Sequence, residues 1–79
     1  MRTYELFGMD YSTRRPKQAE KVLEECYGQR VVLWAIGETK NMPEGILRKD
    51  DDSHCVVETE EGRKRYLISD LIGLIKVND

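Results

Sequence analysis

Seventy-nine residues with a formal charge of −2 make one small domain, because two halves of such a chain would each be too short to bury a core. Thirteen basic side chains against fifteen acidic ones exclude a uniformly basic phosphate binder, whose affinity comes from neutralising many phosphates at once. The opening MRTYELFGMDYSTRRP holds no uninterrupted apolar run, so neither a secretory leader nor a membrane span is expected there, and a cytoplasmic location is.

Residues 1–12 mix Tyr4, Leu6, Phe7, Met9 and Tyr11 with polar positions and lack helical spacing. They are too apolar for a free tail, and an extended segment lying against the domain or a partner is expected. Over residues 16–27 the spacing predicts a helix. Ala19, Val22, Leu23, Cys26 and Tyr27 form one stripe of a 3.6-residue period, and Lys17, Gln18, Glu20, Lys21, Glu24 and Glu25 cover the opposite side. Pro16 suits the first turn, Ser12 and Thr13 stand upstream as capping or bending residues, and Gly28 suits the left-handed position that ends a helix.

The period then changes. RVVLWAI (Arg30–Ile36) is apolar on both sides, with Val31, Leu33 and Ala35 on one and Val32, Trp34 and Ile36 on the other. A strand of this kind needs cover on both faces, and the helix stripe just upstream is the expected cover for one of them. Trp34 is accordingly expected in the core or against the helix. A loop, Gly37–Gly45, follows, then a strand over Ile46–Asp50 that starts near Glu44, and an acidic turn. His54–Thr59 reads as the next strand, Glu60-Glu61-Gly62 as a tight hairpin, Arg63–Ser69 as the fourth strand and Leu71–Val77 as the fifth, with a short break at Asp70. The expected fold is therefore mainly β with one N-terminal helix: a single domain over 1–79 with a five-stranded, strongly bent antiparallel barrel over 30–78.

Arg30–Val77 resembles the Sm-like and SH3-like small-barrel superfamily. The features that carry the resemblance are the apolar first strand after a helix, Glu44-Gly45-Ile46-Leu47 opening the second strand, the acidic turn Asp50–Asp52, the Glu60-Glu61-Gly62 hairpin and the closing Tyr66-Leu67-Ile68-Ser69-Asp70-Leu71-Ile72. The RNA-binding members of the Sm-like group carry an Arg-Gly or Lys-His pair near the junction of the last two strands. Ser69-Asp70 is neither, which weighs against ring assembly and oligouridine binding while leaving the fold resemblance in place.

Candidate binding residues fall in two basic groups. Arg63, Lys64, Arg65 and Tyr66 form the denser one: alternate strand residues stand about 7 Å apart, so Arg63 and Arg65 suit a phosphate backbone. Cross-hairpin pairing with Glu58, Glu60 and Glu61 is the competing and favoured use of these charges. Arg14, Arg15 and Lys17, with Lys21, form the second group. There positive charge opposes the helix dipole, which contact with an acidic partner or a nucleic-acid backbone would explain, and a solvated surface is the favoured expectation. Tyr11, Trp34 and Tyr66 are the stacking candidates, with Tyr66 the best placed for a surface role.

Asp50-Asp51-Asp52 lacks the alternating ligands of a calcium loop. His54 and Cys55, with Cys26, supply too few ligands for zinc. No metal or cofactor is expected. Cys26 and Cys55 read as small buried hydrophobes with free thiols. A single histidine and the lack of a nucleophile–base set argue against an enzyme. The expected function is a non-catalytic binding module for another protein, monomeric or homodimeric and without membrane attachment, with nucleic-acid binding as the alternative.

Overall fold

The computed structural model describes residues 1–8, 16–37 and 42–78, and for 16–19 the backbone only. Strand β1 (Thr3–Gly8) precedes helix α1 (Pro16–Cys26), and five further strands follow: β2 (Arg30–Ala35), β3 (Glu44–Lys49), β4 (His54–Thr59), β5 (Gly62–Leu67) and β6 (Leu71–Asn78). A 3₁₀ turn, Ile68–Asp70, stands between β5 and β6. All pairings are antiparallel, and the sheet order is β1-β6-β2-β3-β4-β5.

The five expected strands are present, and the break expected at Asp70 is the 3₁₀ turn. Two points differ. The N-terminal segment is itself a strand, which makes six. The sheet is also not closed into a barrel: it begins at β1 and ends at β5, and among the described residues no ladder joins these two. The physical reason lies in the backbone of β6. Six residues of β1, from Thr3 opposite Asn78 to Gly8 opposite Gly73, run along its free edge, and so satisfy the peptide groups that barrel closure would otherwise have to pair.

The helix ends where the sequence asks it to. Gly28 has φ 83°, a left-handed conformation that costs a glycine nothing. The turn is then stitched to the sheet, because Gly28 N–H donates to the Leu47 carbonyl (2.7 Å) and Leu47 N–H donates to the Gln29 carbonyl (3.0 Å). These bonds set α1 over the inner face of the sheet. Leu23 and Cys26 join Val31, Leu33, Leu47, Cys55, Val57, Tyr66 and Leu74 in one core, completed by Ala35, Ile68 and Leu71, with Phe7, Val22 and Tyr27 at its margin.

Gly45 is the tightest point of that core. A Cβ there would sit 2.2 Å from the Glu58 carbonyl oxygen and 2.9 Å from a Val57 methyl, so β3 can cross β4 this closely only through a glycine. The loop after β2 is also pinned, by Leu33 N–H on the Pro43 carbonyl and by Ile36 N–H on the Asp70 carbonyl. Cys26 and Cys55 are buried and unbridged, as the sequence led one to expect. Burial pushes the Cys55 thiol up to about 11 and raises that of Cys26 as well.

Candidate interaction surface

Residues directly opposite in an antiparallel ladder share a face, so the registers divide the sheet, with one shift in β2–β6 between Trp34 and Ala35. The inner face is the core just described. The outer face carries Tyr4, Leu6, Val32, Trp34, Ile46, Ile75 and Val77, and beside them Arg30, Glu44, Arg48, Val56, Glu58, Arg63 and Arg65. The helix covers Val31, Leu33 and Ala35. On the opposite face Trp34 stays half-exposed and Val32 partly buried, while Val77 is enclosed.

The result is an apolar area on β1, β6 and β2. Leu6 is 73% exposed, Trp34 47%, and Ile36 just beyond the strand 66%. Leu6, Ile75 and Val32 stand in one row across three strands, and Gly8, Gly73 and Trp34 in the next. This corrects the expectation that Trp34 would be core. One face of β2 is covered by this chain, and the other is offered to solvent.

Arginine dominates the β3–β5 side of the same face. All four strand arginines lie on it, while the strand lysines Lys49, Lys64 and Lys76 lie on the inner side. Arg2 and Arg30 converge on Glu44, at 3.2 and 3.5 Å, where the apolar area meets the charged one. Arg48 pairs with Glu58 at 2.7 Å. Arg48 and Arg65 flank Val56 in one row. Val56 is only 7% exposed although it faces outward, as expected when long guanidinium stems lie over an apolar neighbour.

The basic cluster expected to act as a unit is divided by the strand period. Arg65 holds Asp50 and Asp51, not the hairpin glutamates, so the favoured idea of internal pairing is met by a different set of carboxylates. Arg63 stands opposite Glu58, but that carboxylate is bonded to Arg48, and Arg63 makes no ion pair with a described residue. Lys64 lies on the inner side, with its ammonium 5.3 Å from the centre of the Tyr66 ring. Tyr66 itself is 6% exposed and belongs to the core, which corrects its expected surface role: it faces Cys55 across the ladder, and that side is inward. Because β5 is an edge strand, Arg63, Lys64 and Arg65 also charge the rim that would otherwise accept a foreign strand.

Tyr11, Arg14 and Arg15 lie outside the described residues, and for Lys17 only the backbone is described.

Asp50, Asp51 and His54 bring ligand-type atoms within 4.8 Å of one another. Their donors are engaged already. Asp51 accepts from Ser53 N–H and lies 2.9 Å from His54 Nδ1, while Arg65 bonds both carboxylates. The hydrogen bond to His54, with that from Ser53, holds Asp51 down to about 2, and the bond to Asp50 raises the Arg65 guanidinium further. This is an ion-pair clasp from the β3–β4 turn to β5. An open groove of about 870 Å³ is lined by Arg30, Glu44, Glu58, Glu60, Glu61 and Arg63 among others. Its carboxylates are interleaved with its arginines, which suits neither a phosphate backbone nor a small apolar ligand.

Among the described residues no helix is long and apolar enough to cross a membrane. Comparison of the chain with protein-family models, with curated proteins and with solved structures finds no match in any of the three.

Proposed function

We propose that this chain is a non-catalytic binding module for another protein, with the bare outer face of β1, β6 and β2 as its docking surface. One observation carries the reading: Tyr4, Leu6 and Trp34 stand exposed on one sheet face, with Val32 and Ile75 partly buried between them, and the chain's only described helix packs on the other face. Sheets in stable domains bury their apolar faces against a second layer, and contiguous exposed apolar areas mark interaction sites. The strands β2–β6, in the order β6-β2-β3-β4-β5 with a sharp turn at Ile68–Asp70, also support kinship with the small-barrel modules that serve as adaptors.

Binding of nucleic acid has less support. It rests on Arg63, because Arg65 is occupied by Asp50 and Asp51 and Tyr66 is buried.

The test is affinity capture from the native cell with three forms of the full chain: wild type, the Leu6→Ser/Trp34→Ser double variant, and Glu24→Ser on the exposed side of the helix. Protein partners held by wild type and Glu24→Ser but lost from the double variant are the expected result. Equal retention by all three, or recovery of nucleic acid alone, contradicts the reading.

A further inference from the structure

We infer that a second copy of this chain pairs with the outer edge of β1, antiparallel and with Leu6 opposite Leu6 on a two-fold axis, so that two sheets join into one. This goes beyond the docking reading and does not rest on it. The edges are the first argument. The sheet has two, β1 and β5. An edge strand offers a row of unpaired N–H and C=O groups to any extended chain, and domains that stay single guard such edges with charge. Strand β5 carries Arg63, Lys64 and Arg65 in succession. Strand β1 is TYELFG, and its one charged residue, Glu5, already stands opposite Lys76 in the β1–β6 ladder. Tyr4 and Leu6 are 59% and 73% exposed, and among the described residues nothing pairs with that edge.

Register is the second argument. A closed pair of identical strands needs a two-fold axis. An axis normal to the sheet sets each residue opposite one from the same face, so it passes through a residue rather than between two. Within Thr3–Gly8 the centres that give the longest overlap are Glu5 and Leu6. Centred on Glu5, the pairing sets two like charges directly against each other, which is destabilising. Centred on Leu6, it places Glu5 opposite Phe7 of the second copy and leaves Lys76 on the other side of Glu5. The aliphatic row Val32, Ile75 and Leu6 then runs on through Leu6 of the second copy. Tyr4 falls opposite Gly8. A Cβ at Gly8 would meet nothing within 4 Å, so this edge glycine leaves the space that an aromatic ring from across the ladder fills. Trp34 and Gly73 make the same match within the chain.

The axis also sets both outer faces on one side of the joined sheet and both helices on the other, so the dimer presents its two apolar areas side by side. Other pairings fit less well. Stacking two outer faces covers Trp34 but leaves the backbone of β1 unpaired. Joining β1 to β5 of a second copy leaves a free edge at each end and grows into a filament.

The test is sedimentation of the full chain over a range of concentrations. The expected result is a monomer–dimer equilibrium, which Leu6→Lys weakens by on the order of tenfold or more while keeping the thermal melt of wild type. Trp34→Ser leaves the dimer in place. Mild oxidation then reads the register. Leu6→Cys is expected to cross-link, because opposed Cα atoms stand about 4.5–5.5 Å apart, within disulfide reach. Glu5→Cys, out of step with its counterpart by two residues or about 7 Å, is expected not to. The wild-type chain, whose two thiols are buried, is the blank. A monomer at every concentration, a dimer that survives Leu6→Lys, or a cross-link at Glu5→Cys as strong as at Leu6→Cys overturns the inference. Loss of the dimer in Trp34→Ser overturns it in favour of stacked outer faces, and a mass that keeps growing with concentration overturns it in favour of β1–β5 chains.

Discussion

Trp34 and Gly73 stand opposite each other across the β2–β6 ladder, and the indole lies over the glycine, so that a Cβ at Gly73 would meet Trp34 Cε3 at 3.6 Å. Gly8 completes the row on β1. A Cβ alone fits there at ordinary contact distance, but the γ-methyl groups of a valine would crowd the ring, so Gly73→Val is expected to change the emission of Trp34. In the wild type that emission is expected to be that of a half-exposed indole, open to acrylamide. A deeply shielded, unquenchable Trp34 in the monomer would contradict the placement.

The helix is part of the core rather than an appendage, because Leu23 is fully enclosed among Val31, Leu33 and their neighbours. Leu23→Ala is expected to cost about 2–5 kcal/mol, a large share of what so small a domain holds. Lys21→Ala, on the exposed side, is expected to change stability by less than about 0.5 kcal/mol. Urea unfolding of the two variants separates the cases.

Gly45→Ala is expected to destabilise by roughly 1–3 kcal/mol, since the added methyl group must push β3 from β4. Gly8→Ala has nothing within 4 Å of the new carbon and serves as the control in the same thermal melts.

The carboxyl of Asp51 lies at about 2, below its ordinary 3.8. A depressed acid adds stability that is present above the ordinary value and lost as pH falls through the folded one. A contribution present above about pH 4 and lost between about 4 and 2 is therefore expected, small because the group is exposed. In His54→Asn the Asp51 resonance should titrate closer to the ordinary range, as side-chain NMR can measure.

Cys55 behaves in the opposite sense. Its thiol is raised to about 11 from 9.0, so the neutral form is the one the fold keeps. Stability is full below pH 9 and falls as pH rises towards 11, with Cys26 and Tyr27 shifted in the same direction. Native protein at neutral pH is expected to resist alkylation by iodoacetamide, and denatured protein to react at both thiols.

Much of the fold was legible because periods are local. The 3.6-residue stripe marked α1, and the apolar, β-branched run marked β2. What was not legible is non-local. Val32 and Trp34 announced a second apolar face, but nothing along the chain says whether the same molecule covers it. Arg65 finds Asp50 and Asp51, well removed in sequence, only because β5 folds back along β4. Tyr66 has basic neighbours in sequence, which suggest a surface role, but the register sets it against Cys55 and therefore inward. TYELFG became a sixth strand through pairing with β6 at the far end of the chain. The basic cluster was visible as composition, but its division between two faces follows from the strand period.

The most direct measurement adds the captured protein partner to the purified chain and follows Trp34. If the outer face is the docking surface, its emission moves to the blue and acrylamide no longer reaches it, while Leu6→Ser weakens the complex. Binding that leaves Trp34 emission and quenching unchanged would contradict the central claim.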